Sequence, residues 1–125
     1  IAMIQKYSPV LSVSIHQNSY SDPQVKGPQV FYYEDSKKGK ERALSIQEQM
    51  NDQLSVARPR AAKGNRTYYL LKRSSGVINI VECGFLTNPD EAALLQSEEY
   101  QEKVANAVAD GIGTYLEKQE VPEKN

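Results

Sequence analysis

The amino-acid sequence predicts an α/β domain with a mixed, mostly parallel sheet flanked by helices. Segments with the two-residue period of strands, such as residues 10–16, share the chain with segments of helical period. The β-branched run at residues 77–81 is apolar almost throughout, which is typical of a central strand covered on both faces. With 125 residues, 39% of them hydrophobic and 25% charged, the chain has the size and composition of one globular domain.

Four strands are predicted from the local pattern. The first alternates strictly between apolar residues and Ser or His, and the second is a short aromatic run. A loop rich in Ser, Asp, Pro and Gly separates these two strands. The third strand follows a basic loop, and the fourth is the β-branched run. The predicted strands cover residues 10–16, 30–33, 67–71 and 77–81.

Three helices are predicted from apolar spacing and from capping signals. The first begins at Ser36, and its apolar face is spaced by three and four residues, at Ala43, Leu44, Gln47, Met50 and Leu54. The second begins at Asn88, which can cap it, with Pro89 at the first helical position and Glu91 able to bond back to the cap. The third begins at Ser97, and its apolar face comprises Tyr100, Val104, Ala107, Val108, Ile112 and Tyr115.

Charge and residue counts exclude several classes of function. The net charge is -1 and the pI is about 5.9, which gives no support for a nucleic-acid partner. Apolar runs are far shorter than the roughly 20 residues that a membrane helix needs, so no membrane span is predicted. The single cysteine, Cys83, cannot form an internal disulfide. With one histidine, His16, the Cys and His of this chain cannot alone build a zinc site.

His16 and Glu82 each close a predicted strand and are followed by a turn or loop. If the two strands are parallel neighbours, both side chains lie at the carboxyl ends of strands, where open α/β sheets bind ligands. A hydrogen-bonded structural histidine is the alternative for His16. Glu82 directly follows an apolar strand, so its buried charge needs a partner, which a metal or a functional role supplies.

Two further features have alternative interpretations. The basic loop at residues 58–66 is either a solvated segment or a rim that attracts an anionic substrate. Cys83 becomes a candidate nucleophile if His16 acts as its base. Its apolar flanks instead predict a buried and inert thiol, so a Cys-His or Ser-His hydrolase is supported only by single residues. Tyr68 and Tyr69 are predicted to lie in the core or on the sheet surface.

Residues 14–18 have the sequence SIHQN, and residues 81–89 have the sequence VECGFLTNP. These segments resemble the Ser-Ile-His-x-Asn and Val-Glu-x-Gly-Phe-x-Ser/Thr-Asn motifs of the zinc-dependent N-acetylmuramoyl-L-alanine amidases, the Amidase_3 family. The resemblance extends from about Ser8 to Leu116. It is nearest to the branch that includes the germination-specific, spore-cortex amidases.

The resemblance implies a peptidoglycan hydrolase of the bacterial cell envelope or extracellular space. Such an enzyme cleaves the amide between N-acetylmuramic acid and L-alanine with water activated by Zn²⁺, whose bound water has a pKa of about 7. His16 corresponds to the third zinc ligand of the family. Glu82 corresponds to the catalytic carboxylate, which takes the proton of the water and passes it to the leaving amine. Asn18, Arg58 and Lys63 are candidates for substrate binding.

The chain departs from the family pattern at its beginning. The first two zinc ligands of the family, a His in a Gly-His-Gly-Gly-like motif and a Glu, precede Ser-Ile-His, yet residues 1–9 contain no His, Asp or Glu. We therefore expect residues 1–116 to be the C-terminal part of a single catalytic domain without its first strands, followed by a polar tail at residues 117–125. The alternative is that the chain is a truncated, catalytically inactive fragment without a complete zinc site. The sheet edge left uncovered by the missing strands favours a homodimer.

Overall fold

The structure is a computed structural model that describes residues 12–18, 27–54, 59–68, 71 and 78–120. Predicted features at other positions, including Leu11 and Arg58, lie outside the described residues. Within the described ranges the chain forms four strands and three helices in α/β order. They are β1 (Ser12–Asn18), β2 (Gln29–Tyr33), α1 (Lys37–Gln53), β3 (Lys63–Asn65), β4 (Ile78–Phe85), α2 (Pro89–Leu95) and α3 (Glu98–Glu120).

The strands form one mixed sheet in the order β1-β4-β2-β3. β1 is parallel to β4, and β3 is parallel to β2, whereas β2 and β4 are antiparallel. The predicted fold class, a mixed and mostly parallel sheet flanked by helices, is therefore confirmed. All eight residues of β4 are buried, which agrees with the nearly continuous apolar run predicted to be a central strand.

The main core lies between one face of the sheet and the helices. It contains Val30 and Val81 from the sheet, together with apolar residues from all three helices. α1 begins directly after Ser36, the predicted start of this helix, and the Ser36 hydroxyl caps it by accepting the N–H of Gly39 at 3.0 Å. A smaller cluster on the opposite face contains Phe31, Leu71, Ile78 and Ile80, with Tyr33 and Tyr68 packed against it.

A buried polar group interrupts the apolar sequence of β4 at Asn79. The side chain of Asn79 accepts a hydrogen bond from Nε of Arg42 at 2.9 Å. Its amide nitrogen donates to the carbonyls of Gly39 at 3.0 Å and Phe31 at 3.3 Å. One side chain thus connects β4 to α1 and β2. Its amide donors and its acceptor are all hydrogen-bonded, as a polar group buried in the low-dielectric core requires.

The third strand forms earlier in the chain than predicted. β3 covers Lys63–Asn65, whereas Thr67 and Tyr68 are irregular, and residues 69–70 lie outside the described residues. The Asn65 side chain explains the difference, because its Oδ1 accepts the backbone N–H groups of Thr67 and Tyr68, both at 2.8 Å. Those donors are therefore engaged by a local turn instead of a strand ladder.

β1 and β4 both extend beyond their predicted ends. β1 continues to Asn18 and β4 continues to Phe85, so Glu82 lies inside its strand and not at its end. The two extensions support each other, because His16 pairs with Glu82 and Asn18 pairs with Phe85. A register shift between His16 and Asn18 marks an irregularity at this point, which is common where a strand borders a functional site.

Two helical predictions are also corrected. Leu44 was expected on the buried face of α1, but it is 50% exposed, and Ile46 is fully buried in the core instead. The polar tail predicted from Glu117 is helical as far as Glu120, the end of α3. Glu, Lys and Gln have high helix propensity, so this last turn continues without an apolar face.

Candidate functional site

The structure places His16 and Glu82 side by side. The two residues are direct partners in the parallel pairing of β1 and β4, and neighbouring strands lie about 4.8 Å apart. Because side chains alternate along a strand, Glu82 shares the face of Ile78 and Ile80, which is opposite the main core. The pair thus lies on the sheet face that the three helices do not cover.

Glu82 is a buried carboxylate with an unused acceptor. It is only 8% exposed, and its Oε2 accepts no hydrogen bond from the residues that the structure describes. Burial raises the pKa of the Glu82 carboxyl, and the opposing effect of the His16 charge is smaller. A buried carboxylate without a hydrogen-bond donor is costly, which is typical of a group kept for binding or catalysis.

His16 is exposed at the same point of the sheet. A hydrogen bond of 2.6 Å joins its Nε2 to the hydroxyl of Ser14, which lies two residues earlier on the same strand face. This contact restrains the imidazole ring and leaves Nδ1 without a hydrogen bond to the described part of the chain. An exposed imidazole held by one hydroxyl is a suitable metal ligand.

The described residues do not by themselves form a metal site. Among them, no group of three His, Cys, Asp or Glu side chains is close enough to hold a metal ion. The chemistry of His16 suits one metal ligand. Oε2 of Glu82, which is buried without a hydrogen-bond partner among the described residues, could accept a proton or a hydrogen bond from a molecule bound next to it. A zinc site requires about three protein ligands, so a zinc site that includes His16 would need ligands from outside the described residues.

Tyr68 lies beside the pair, whereas the sequence predicted only a position in the core or on the sheet surface for it. Its ring packs edge-on against Phe31, with centroids 5.3 Å apart and planes at 63°. Burial and the negative charge of Glu82 both raise the pKa of Tyr68, so its phenol stays protonated at neutral pH. The turn at Asn65 places it there, and the Asn-x-x-Tyr spacing is the one sequence signal that points to this turn.

Two of the three predicted substrate-binding residues, Asn18 and Lys63, lie on different strands. Lys63 is exposed on β3, where it pairs with Phe31, so it lies two strands away from β4. Asn18 borders the pair through its backbone, and Arg58 lies outside the described residues. Part of the basic loop is neutralised, because Arg66 forms ion pairs with Asp35 at 2.8 Å and with Glu34 at 3.0 Å.

Cys83 has the properties predicted for an inert thiol. It is buried on the helix side of the sheet, on the face opposite Glu82. Burial, and to a lesser extent the charge of Glu82, raises the pKa of the thiol to about 11. The thiolate is therefore scarce at neutral pH, and the thiol lies on the wrong face to use His16 as a base.

Glu91 differs from its predicted role. The Asn88 side chain caps α2 as expected, accepting the N–H groups of Asp90 and Glu91, both at 3.1 Å. The Glu91 carboxylate does not return to the cap. It instead accepts hydrogen bonds from the backbone N–H groups of Gly27 and Phe85. Gly27 is 64 residues away in the sequence, and Phe85 is the last residue of β4.

A separate cavity of about 540 Å³ lies on the helix side of the sheet, near the end of β1. Its lining is mainly apolar and includes Ile15, Leu86, Tyr100 and Val104, together with His16. Glu82 does not line this cavity. The cavity therefore adjoins the His16–Glu82 pair through His16 alone, and Ile15 in its lining is 58% exposed.

Known proteins resemble the chain along nearly its whole length. The Amidase_3 family, described as N-acetylmuramoyl-L-alanine amidase, matches residues 1–114. The chain is 34% identical over 124 residues to the germination-specific N-acetylmuramoyl-L-alanine amidase of Bacillus subtilis. That alignment covers 98% of this chain and 52% of the relative, so the chain spans about half the length of this curated protein.

Solved structures resemble the fold equally well. The CwlD amidase from Clostridioides difficile, solved in complex with the GerS lipoprotein, has a TM-score of 0.88 and 36% identity over 93% of this chain and 59% of that one. The N-acetylmuramoyl-L-alanine amidase AmiC2 of Nostoc punctiforme has a TM-score of 0.84 and 30% identity over 94% of this chain and 63% of that one. Given a family match over residues 1–114, the chain belongs to the Amidase_3 family of N-acetylmuramoyl-L-alanine amidases.

Proposed function

We propose that the natural protein containing this chain hydrolyses the amide bond between N-acetylmuramic acid and L-alanine of peptidoglycan, in the cell envelope or outside the cell. The observation that carries the proposal is the pairing of His16 with a buried carboxylate, Glu82, whose Oε2 has no hydrogen-bond partner among the described residues. Membership of the Amidase_3 family supports the choice of substrate. No helix in the described part of the chain is long and apolar enough to cross a membrane.

Zn²⁺ is the proposed cofactor, and His16 is the ligand that this chain contributes. When bound, the ion would lower the pKa of water and polarise the scissile carbonyl. The Ser14 hydroxyl holds the His16 ring in a fixed orientation, which is the usual role of a second group behind a metal-binding histidine. The remaining ligands are proposed to come from residues that the structure does not describe or from sequence outside this chain.

Glu82 is the proposed general base and acid. Its carboxylate accepts a proton from the attacking water and then donates that proton to the nitrogen of the leaving L-alanine. Burial raises its pKa, so the protonated form persists more readily than in an exposed carboxyl group. This property suits a group that must hold the proton between the two transfers.

The proposal is tested by identifying the bond that is broken. The natural full-length protein is incubated with purified peptidoglycan, and the products are analysed by mass spectrometry. We expect a free lactyl carboxylate on N-acetylmuramic acid and a new amino group on L-alanine. Cleavage of the glycan strand or of a peptide cross-link, with the muramoyl amide intact, would contradict the proposed reaction.

The 125-residue chain alone is expected to bind zinc weakly. One imidazole cannot enclose a tetrahedral ion, and no three-residue ligand group exists among the described residues. Metal analysis of the dialysed chain should find well below one zinc per molecule, and His16→Ala should change that value little. Stoichiometric zinc that survives dialysis and is lost in His16→Ala would overturn this prediction and argue for a complete site.

The isolated chain is also expected to form a dimer. β1 is an outer strand of the described sheet, and Ile15 on it is 58% exposed next to the apolar cavity. An open edge with apolar neighbours tends to pair with another strand, and a second copy of the chain is available. Light scattering after size exclusion measures the mass, for which the monomer value is 14.0 kDa.

Two variants sharpen the assembly experiment. Ile15→Glu places a charge at the edge strand and should shift the population toward monomer. Leu44→Glu is the matched control, because Leu44 is 50% exposed on α1, away from β1, and should leave the mass unchanged. A monomer of 14.0 kDa that unfolds cooperatively at micromolar concentration would show that the chain closes its own sheet edge.

A further inference from the structure

We infer that Glu91 is a positioning residue for the His16–Glu82 pair, an inference that rests on the proposed function. Glu91 is a charged residue with only 7% exposure, located in the first turn of α2. Both of its carboxylate oxygens accept the Gly27 N–H at 2.9 Å, and Oε1 also accepts the Phe85 N–H at 3.0 Å. Hydrogen bonds to an ionised acceptor are about twice as strong as neutral ones.

One of these N–H groups lies just before the start of β2 and the other at the end of β4, two strands that are neighbours in the sheet. Gln29 of β2 is the partner of Glu82 on β4. Gly27 lies just before β2, and Phe85 is the last residue of β4. The antiparallel ladder between β2 and β4 ends at the Gln29–Glu82 pair, and the Glu91 carboxylate bridges the two chain segments a few residues beyond that pair.

β1 is connected to the same point. Asn18 pairs with Phe85 directly after the register shift that follows His16. The Phe85 backbone therefore contacts β1 on one side and the Glu91 carboxylate on the other, and its carbonyl accepts the Asn88 N–H at 3.1 Å. Through Phe85, Glu91 restrains the ends of both strands that carry His16 and Glu82.

The local backbone is adapted to a carboxylate in this position. Gly27 has φ of +108°, a conformation that other residues rarely adopt, and this conformation accompanies the N–H contact to Glu91. A Cβ on Gly84 would lie 3.4 Å from the Glu91 carboxyl carbon, so the carboxylate lies directly against the β4 backbone. An amide group would fit the space, and its oxygen could take the place of Oε1, but its NH₂ would face the Gly27 N–H in the place of Oε2 and cannot accept it.

Glu91→Gln therefore removes the Oε2 contact to the Gly27 N–H and the negative charge that strengthens both hydrogen bonds, with little change in shape. In the natural full-length protein we expect kcat for muropeptide hydrolysis to fall by about 10²-fold, the usual effect of a misplacement near 1 Å. KM should change little, because Glu91 is buried and does not face the substrate. Asp90→Asn is the matched charge control, since Asp90 is exposed in the same helical turn, and it should retain wild-type kcat.

A second control separates positioning from general stability. Ser45→Ala removes a buried hydrogen bond of 2.7 Å to the Gly111 carbonyl, far from the site, and should lower the thermal midpoint without a selective loss of kcat. The positioning role is supported if kcat decreases much more in Glu91→Gln than in Ser45→Ala, with both variants assayed under conditions where the same fraction of the protein is folded. It is overturned if the two variants lose activity in parallel or if Glu91→Gln matches Asp90→Asn.

A measurement on the wild-type chain covers the case in which Glu91→Gln does not fold. The amide protons of Gly27 and Phe85 should exchange slowly with solvent and resonate downfield, as expected for N–H groups bonded to a carboxylate. Exchange at the rate of exposed amides would overturn the inference. A wild-type protein with slow exchange at both amides but without amidase activity would instead refute the proposed function and leave the tether established.

Discussion

We expect Glu82→Gln to remove most amidase activity from the natural full-length protein and, at the same time, to stabilise its fold. The glutamine side chain keeps the shape of glutamate but cannot accept a proton from water. General acid–base catalysis contributes typically about 10²–10⁴-fold to a rate, so kcat should fall by a factor in this range. Zinc content should not change, because Glu82 is proposed as a base and not as a ligand.

The gain in stability has a separate physical cause. Glu82 Oε2 is buried without a hydrogen bond from the described residues, and an unsatisfied buried group costs about 1–3 kcal/mol. Burial raises the folded-state pKa above its ordinary value of 4.5. The folded state therefore binds the proton more tightly than the unfolded state, and stability falls as pH rises through the interval between these two pKa values.

This linkage fixes the sign of the pH effect on the variant. Above the folded-state pKa, wild-type Glu82 is ionised and its full cost is present, so Glu82→Gln should raise the free energy of unfolding. Below the ordinary value of 4.5, both side chains are neutral and the difference should disappear. Denaturant unfolding at several pH values measures this, and Glu99→Gln, at an exposed position on α3, is the control for loss of a carboxylate.

Two outcomes would contradict the role given to Glu82. Turnover of muropeptide within a few-fold of wild type would exclude it as the general base. A lower stability of Glu82→Gln at neutral pH would show that the carboxylate has a strong partner in the folded protein. In that second case Oε2 of Glu82 would have a hydrogen-bond or charge partner in the folded protein, and the pKa of the carboxyl group would not be raised.

Much of the fold was predictable because its signals are local. Asn88 makes the predicted capping contacts with backbone N–H groups of α2, and α1 begins directly after Ser36, where its pattern predicted a helix start. The apolar run in β4 predicted a buried central strand. The proximity of His16 and Glu82 was expected only on the condition that their strands are parallel neighbours. The local pattern of neither strand determines which strands pair or in what register.

The missed features depend on contacts between residues far apart in the chain. Glu91 has the spacing of a capping-box residue, and local rules direct its carboxylate to the cap. The buried N–H groups of Gly27 and Phe85 take that carboxylate instead, because unpaired buried donors are costly. Asn65 similarly replaces a predicted strand by a turn, and this brings Tyr68 beside Glu82.

We expect Gly111→Ala to destabilise the fold more than any conservative change on the surface of α3. A Cβ on Gly111 would lie 2.5 Å from Cα and 3.0 Å from N of Ile46 on α1. Both contacts are with backbone, so no side chain can rotate away, and α1 and α3 must separate where they cross. Ser45 Oγ also donates to the Gly111 carbonyl at 2.7 Å, a bond that separation would weaken.

The size of this effect is set by two opposing contributions. Overpacking in a core costs about 1–3 kcal/mol and sometimes more, whereas Gly→Ala inside a helix stabilises by about 0.5–1 kcal/mol. We expect a net loss of about 2 kcal/mol, measured as a lower denaturation midpoint with an unchanged m-value. A decrease in the m-value would indicate that the native state has itself expanded.

Gly113→Ala provides the matched control, because it is the same substitution two residues later in the same helix. A Cβ at Gly113 would meet no atom within 4 Å, so only the helix-propensity gain of about 0.5–1 kcal/mol remains. The two variants should therefore change stability in opposite directions. If Gly111→Ala were neutral or stabilising as well, α1 and α3 would not approach each other closely at Ile46, and the helix crossing that supports β4 from behind would be looser than described.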